Sequence, residues 1–599
     1  MEFKEKLKGF QWALCAAALL LMIAGINRDE SQLIFLSLFL ALCAVLAFIR
    51  FQKHSPAVLG ISDTFFNQLR TLQMPIGVIG VGLLTVGIVT WTIFCIVISL
   101  GLMFLWYVLF KANNANSGPK TDHGSARWAT YEEMKATGNS EPHGLYIGYQ
   151  HMRNKSGHLL TVAGSGQGKG VNLIIPSLLV NPFGSYVVTD PKGENAFITA
   201  RFQKEFGQRV YIIDPWDEQK KLGAIHGIQS SGFNPFAFLK KNMHELRDNC
   251  EQIANFLIPD KPDAKDPFWN DRARSMIKTF LMHIVTAMPE EDHNFWTLYK
   301  MLRLSGDDWL MLLFDLKNNK AEHELISIAA EELIGIQKTE NTMASIRSTA
   351  QNATTIFESP QLRQSLAKDD FDPYYLTSAN CTVYIVIPER YLDTHGVWLR
   401  LVIGLCLKAC NEKPGLRVNF ILDEFAVLGK MKDIQKGYAF ARGQNIVLWA
   451  FVQSLSQIKD IYGDDGLNTF IGNAAVLQAF GIKDYFTADY ISKLLGEATL
   501  EKISTTVSHN PHTRDDNRSL NYQTYGRRLL TVDEVTTFPH IITFADNLKI
   551  QIQKLPYFKS FFENVKLTPQ QQKDRDSGKA IEWFDYFKKR ADPPPRINH

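Results

Sequence analysis

The sequence predicts an α/β fold: a doubly wound, mostly parallel sheet interrupted by an all-helical insertion and preceded by a helical transmembrane region. Three observations predict it. Strand-like runs at 159–162, 185–189, 210–213, 382–387, 418–422, 446–451 and 474–480 mostly alternate with helical patterns, as parallel strands joined by crossover helices require. Runs such as Val383-Tyr-Ile-Val-Ile are apolar throughout, which suits strands buried on both faces. Between about 240 and 375 the strands stop. There 246–257, 273–287, 294–304 and 321–333 carry helical periodicity, with Trp269, Trp296 and Trp309 in or near them.

The transmembrane region itself is read from the N-terminal 110 residues. Residues 11–26 and 33–49 are uncharged apolar runs split by Asn27-Arg-Asp-Glu-Ser-Gln32, and 74–110 is a third without any charge. A cleaved signal peptide would need a small-residue site after the first run, and another apolar run follows instead. Lys4, Lys6 and Lys8, then Arg50, Lys53 and Arg70, then Lys111, Lys120 and Arg127 flank the runs, while the 27–32 loop is net negative. The positive-inside rule therefore puts the N-terminus, the 50–73 connector and everything after 111 in the cytoplasm. As one helix 74–110 would be about 55 Å long, too long for one upright span, so a hairpin near Thr90-Trp91 is expected. The anchor, 1–110, is thus read as four helices.

The rest divides into a polar linker and the start of the soluble region (111–135), a first part of the nucleotide-binding domain (136–240), an all-α domain (241–375), a second part (376–560) and a tail (561–599). The polar stretch Ser508-His-Asn-Pro-His-Thr-Arg-Asp-Asp-Asn-Arg518 is expected to be an exposed loop. In the tail, Trp583, Phe584, Tyr586 and Phe587 with Pro593-Pro-Pro595 fit either a docking peptide or a partly ordered terminus. The 64 basic and 61 acidic residues nearly cancel, so nucleic-acid binding would need a local patch. The seven cysteines (Cys15, Cys43, Cys95, Cys250, Cys381, Cys406 and Cys410) lack paired metal-ligand spacing and read as buried thiols of a reducing compartment.

Chemistry concentrates in two segments. Ala163-Gly-Ser-Gly-Gln-Gly-Lys169-Gly170 follows an apolar run and precedes Val171-Asn-Leu-Ile-Ile, so it forms a strand-to-helix turn. There Gly164, Ser165, Gly166, Gln167, Gly168, Gly170 and Val171 bring backbone N–H groups to phosphate oxygens, and Lys169 reaches the terminal phosphates. Val418-Asn-Phe-Ile-Leu-Asp423-Glu424 places two carboxylates at a strand end, where Asp423 can hold a metal and Glu424 can orient water. A lone glycine-rich turn would fit a helix start with no ligand; the pair points to ATP and Mg²⁺. The usual loop has Gly first and Ser or Thr after the lysine, where this chain has Ala163 and Gly170. Gly170 offers no hydroxyl to Mg²⁺, so water or another carboxylate must complete the shell. Asp190, just past a strand end, is one candidate; a plain turn aspartate before Pro191 is the other reading.

His123-Gly-Ser-Ala-Arg-Trp-Ala129, Gly166-Gln-Gly-Lys-Gly-Val171, Thr189-Asp-Pro-Lys-Gly-Glu194, Leu422-Asp-Glu-Phe425 and Arg528-Leu-Leu-Thr-Val-Asp-Glu-Val535, taken in order, resemble the TraG/VirD-type coupling ATPases of type IV secretion. The resemblance covers about 120 to 540. Gly after the loop lysine is usual in that family. It implies a RecA-like motor with a helical insertion, a bacterial inner-membrane anchor and ring-shaped homo-oligomers, hexamers by expectation. Its partners would be other secretion components and a DNA–relaxase or effector-protein substrate. Relatives commonly carry two spans, so the four read here depart from the pattern. By the same likeness Gln453, after the strand at 446–451, would sense the γ-phosphate. Arg442 would act as an arginine finger into a neighbouring subunit or be a solvated helix arginine. Lys192 and Lys436 are candidates for contacts with a translocated strand. A recruitment platform whose nucleotide serves assembly, and a septal-type DNA translocase, are the competing functions.

Overall fold

The computed structural model describes residues 101, 103–105, 107, 123–181, 183–222, 228–259, 267–509 and 516–560. The expected four-helix anchor (apart from those few positions), the linker to 122 and the tail from 561 lie outside the described residues. Among the described residues no helix is long and apolar enough to cross a membrane.

In chain order the strands are β1 (Leu145–Gly148), β2 (His151–Arg153), β3 (His158–Ala163), β4 (Ser185–Asp190), β5 (Arg209–Ile213), β6 (Cys381–Val386), β7 (Val418–Leu422), β8 (Ile446–Val452), β9 (Ala474–Phe480), β10 (Glu497–His509), β11 (Asp516–Arg528), β12 (Ile541–Ala545) and β13 (Leu548–Ile552). Among the described residues nine of them form one sheet, in the order β13-β12-β9-β3-β8-β7-β4-β6-β5. The run from β9 to β5 is parallel throughout, and β12 and β13 close one edge antiparallel. Every residue of β3, β4, β6, β7 and β8 is buried, as strands covered on both faces must be.

Alternation along the strands separates two cores. Leu160 and Val162 of β3, with Leu448, Ala450 and Val452 of β8, face one; Leu159 and Ala163, with Val447, Trp449 and Phe451, face the other. The second core takes the helices Ile175–Val180 and Glu194–Glu205. The first runs without a break into the helices between β5 and β6, among them Leu246–Leu257, Phe268–Ala287, Gly306–Asn318 and Leu325–Gln337. The insertion is seated on the sheet layer by a close approach: a Cβ on Gly404 of the helix Leu392–Glu412 would collide with the Phe256 ring. Beside it Arg400, 6% exposed, donates from Nη1 to the Phe256 carbonyl (3.0 Å) and from Nε to the Leu428 carbonyl (2.8 Å). Burial pulls its guanidinium down to about 10, still charged at neutral pH.

Two expectations change. The helical run expected from 321 begins at Leu325, because Glu322, His323 and Glu324 all hold positive φ (53°, 55° and 65°), a left-handed turn that no α-helix accommodates. The stretch 508–518, expected to be a loop, is strand at its two described ends, 508–509 and 516–518. β10 and β11 pair antiparallel in register from Glu497↔Arg528 to His509↔Asp516, and only 510–515 between them lie outside the described residues. At the ribbon's base the backbone of 123–126 lies against β10, with Ala126 N–H donating to the Glu497 carbonyl (2.9 Å). Cys250, Cys381, Cys406 and Cys410 are buried and free.

Candidate active site

Four neighbouring parallel strands, β3, β8, β7 and β4, end at the same edge of the sheet, where ligand crevices open in such sheets. β3 leads into the glycine-rich loop, β8 into Gln453, β7 into Asp423 and Glu424, and β4 ends on Asp190. Each side chain is delivered by a strand whose apolar residues lock it between two cores, which is why residues 255 positions apart meet.

The loop turns on two glycines with positive φ, Gly166 (72°) and Gly168 (83°). A Cβ on Gly168 would sit 2.6 Å from the Asn172 amide nitrogen, which donates to the Gly168 carbonyl at 2.8 Å, whereas a Cβ on Gly166 would meet nothing. Ser165 and Gly166 form the exposed crest, with Gly164, Gln167, Gly170 and Val171 half-buried around it. From Gly170 the chain runs through a π-helical turn (Gly170–Ile174) into the helix Ile175–Val180. Across the loop, Gly481 after β9 packs so closely on the Gln167 side chain that a Cβ there would overlap it.

Lys169 stands inside this turn, 9% exposed. Its Nζ lies 2.8 Å from Glu424 Oε1 and 3.2 Å from Asp423 Oδ1. Gln453 Nε2 donates to Glu424 Oε2 at 3.1 Å, so four of the sequence-predicted residues form one contiguous cluster. Burial works against the lysine's charge, but Asp423 and Glu424 outweigh it and hold the ammonium above the ordinary lysine range. Burial raises the Asp423 carboxyl; Lys169 pulls it back only in part, and Glu424 adds to the rise. Glu424 sits in the left-handed region (φ 53°, ψ 46°), a conformation costing a non-glycine residue about 1–2 kcal/mol. Its N–H donates to Asp423 Oδ1 (3.0 Å), and Thr189 Oγ1 donates to the Asp423 carbonyl (2.8 Å), pinning the turn.

Asp190 is fully buried behind this cluster. Its Oδ2 accepts the Ala196 N–H at 2.8 Å, which ties this oxygen to the start of the helix Glu194–Glu205. Burial pushes it up to about 7, against the pull of the Ala196 and Asn195 N–H groups, with Glu194 and Asp423 adding to the rise. The backbone of Arg442 lies in the turn Ala441–Gln444, before the start of β8. Seven strand residues, about 23 Å, separate that turn from the site edge of the same chain. Lys192 pairs with exposed Glu389 at 3.5 Å. Lys436 lines an open cavity of about 420 Å³ with Lys408, Glu245 and Asp433. Neither makes a basic patch by itself.

Thr189 and Arg400 carry structural weight that sequence reasoning did not assign. The signal for Arg400 was present, a lone cation within the apolar run Val397-Trp-Leu-Arg-Leu-Val-Ile403.

Residues 120–581 match the family model described as Type IV secretory system Conjugative DNA transfer. The chain is 23% identical over 460 residues to the protein VirD4 of Rhizobium rhizogenes, a match covering 73% of this chain and 65% of that one. It is 25% identical over 481 residues to the conjugal transfer protein TraG of Escherichia coli, covering 71% and 73%. The match to VirD4 thus spans just under two thirds of that relative's length. Among solved structures the fold is similar to the plasmid coupling protein TrwB in complex with ADP and Mg²⁺, with a TM-score of 0.54, 17% identity, and coverage of 74% of this chain and 96% of that one.

Proposed function

The chain belongs to the Type IV secretory system conjugative DNA transfer family, and from that premise we propose that it is a P-loop ATPase, anchored in the bacterial inner membrane by residues 1–110, that drives substrate into a type IV secretion channel. The observation that carries the reading is the contact of Lys169 with Asp423 and Glu424, joined by Gln453. That constellation is what nucleoside triphosphate hydrolysis needs: a cation for the phosphates, a carboxylate for the metal, a carboxylate for water and a polar sensor. The similarity in fold to TrwB, a protein seen in complex with ADP and Mg²⁺, supports carrying the same ligands to this chain.

The residues present fit ATP and Mg²⁺. The positive-φ glycines open the loop so that the N–H groups of Gly164 to Val171 can converge on phosphate oxygens. Bound Mg²⁺ neutralises developing phosphate charge. Asp423 would be its carboxylate ligand, with Asp190 behind it setting the local charge and the helix start. When Lys169 moves from Glu424 to the phosphates, the Glu424 carboxylate is free to accept a proton from the attacking water. Gln453, hydrogen-bonded to Glu424, reports the state of that carboxylate to β8. Arg442 acts in trans, from a neighbouring subunit of a ring-shaped homo-hexamer.

Residues 136–240 and 376–560 build this RecA-like motor, and 241–375 the all-α domain seated on it. The family description, conjugative DNA transfer, favours a DNA–relaxase complex over effector proteins as substrate, with other secretion components as partners. Lys169→Ala in the full chain should lower ATP hydrolysis by at least about 10³-fold, in line with the weight of a transition-state cation. It should abolish transfer between cells and leave the protein in the membrane fraction. Transfer at the parental frequency from that variant would refute the motor reading.

A further inference from the structure

Gly170 deprives the loop of the hydroxyl that usually ligates the metal, and the structure sets one side-chain oxygen beside it. A Cβ built on Gly170 would have one neighbour within 4 Å, the Asn195 Oδ1, at 4.0 Å. Asn195 is 5% exposed, in the first turn of the helix Glu194–Glu205. Its backbone is committed: its carbonyl accepts from Thr199 Oγ1 at 2.6 Å, and its N–H points at the Asp190 carboxyl. Among the described residues its side-chain amide makes no hydrogen bond and is not sealed from solvent, so its oxygen is open to a ligand. Asp190, the alternative oxygen source, has its carboxyl engaged by the Ala196 N–H.

We infer that Asn195 supplies through Oδ1 the neutral oxygen ligand to Mg²⁺ that Gly170 cannot. This rests on reading the cleft as a Mg²⁺–ATP site. Three features favour an amide here. Mg²⁺ takes oxygen ligands in octahedral geometry and uses few protein groups besides water and phosphate. An amide oxygen is uncharged, like the serine or threonine hydroxyl it replaces, so it adds no third anion to Asp423 and Glu424. The absence of a side chain at Gly170 leaves the path from Asn195 to the loop open, and the Asp190 bond to the same helix turn fixes where Asn195 stands.

The test uses the full chain in detergent, a non-hydrolysable ATP analogue, and Mn²⁺ as the probe, with bound ion read by electron paramagnetic resonance. Asn195→Ala should weaken Mn²⁺ about tenfold or more, the usual cost of a lost metal-site group, with analogue binding in EDTA unchanged. Adding Gly170→Ser to Asn195→Ala should restore Mn²⁺ affinity to within a few-fold, since a serine fits at that position. Asn195→Asp keeps the shape, adds charge and should tighten Mn²⁺, which keeps the inference testable if the alanine variant fails to fold. Mn²⁺ affinity unchanged in Asn195→Ala or in Asn195→Asp overturns it, as does failure of the added serine to rescue. If the parent chain binds no nucleotide, the ATP reading fails instead, and that outcome is visible before any variant is made.

Discussion

The site edge and the β10–β11 ribbon are both built of strands, yet different forces hold them. At the site edge β3, β8, β7 and β4 are apolar and buried on both faces, and each ends on a residue with a job. The ribbon's two strands, 13 residues each, are rich in Ser, Thr, Asn and charge, and among the described residues they pair with each other and no third strand. A two-stranded ribbon in water draws little from burial and is marginal by itself. Here its base is steadied by the Ala126–Glu497 hydrogen bond and by Thr499 Oγ1, which donates to the Gly124 carbonyl at 3.0 Å. Position in the first region is set by the core, and in the second by the ladder and the few backbone contacts at its base. The same amount of strand therefore yields a rigid scaffold in one place and an appendage in the other.

Four measurements test that contrast. Below Lys169→Ala, the next largest effect is expected at the site edge. Glu424→Gln should cut hydrolysis by about 10²–10³-fold, the usual weight of a general base, while ATP remains bound in a filter or fluorescence assay. Hydrolysis within a few-fold of the parent would remove Glu424 from the chemistry. An intermediate effect is expected where the helical insertion meets the post-site turn. Arg400→Met strands the buried Phe256 and Leu428 carbonyls, at a cost of about 2–4 kcal/mol for two lost partners. Denaturant unfolding measures it, and a change below about 0.5 kcal/mol would show the insertion and the site edge to be independently stable. The smallest effect belongs to the ribbon. Replacing 503–522 by a two-residue turn should leave hydrolysis within about twofold and shift Tm by only a degree or two, since little core is removed. Loss of hydrolysis there would make the ribbon part of the motor and erase the contrast.

The same physics explains what was legible in the sequence. The seven core strands announced themselves as apolar runs, and the glycine-rich loop and the Asp423-Glu424 pair stood at their ends. β10 and β11 carried no such run, so polar composition read as loop. β12 and β13 were legible in principle. Ile541-Ile-Thr-Phe-Ala545 and Leu548-Lys-Ile-Gln-Ile552 flank Asp546-Asn547, both with positive φ (49° and 64°), the two-residue turn that hairpins favour. Asn195 and Arg400 were not legible as to role, because each acts across the fold: one beside Gly170, the other between two carbonyls far apart in sequence. The N-terminal spans and the aromatic tail fall outside the described residues and stand as sequence readings.

The double pairing of Lys169 has a further consequence for which anions the cleft admits. Its charge is already matched by Asp423 and Glu424, so the loop is no open cationic trap. An anion arriving alone must draw Lys169 away and leave two neighbouring carboxylates facing each other in a poorly solvated site, which is costly. An anion that arrives with a divalent cation lets Asp423 exchange one positive partner for another. A cleft of this kind would favour a polyphosphate that brings its own divalent cation over inorganic phosphate, because the metal gives Asp423 a new positive partner.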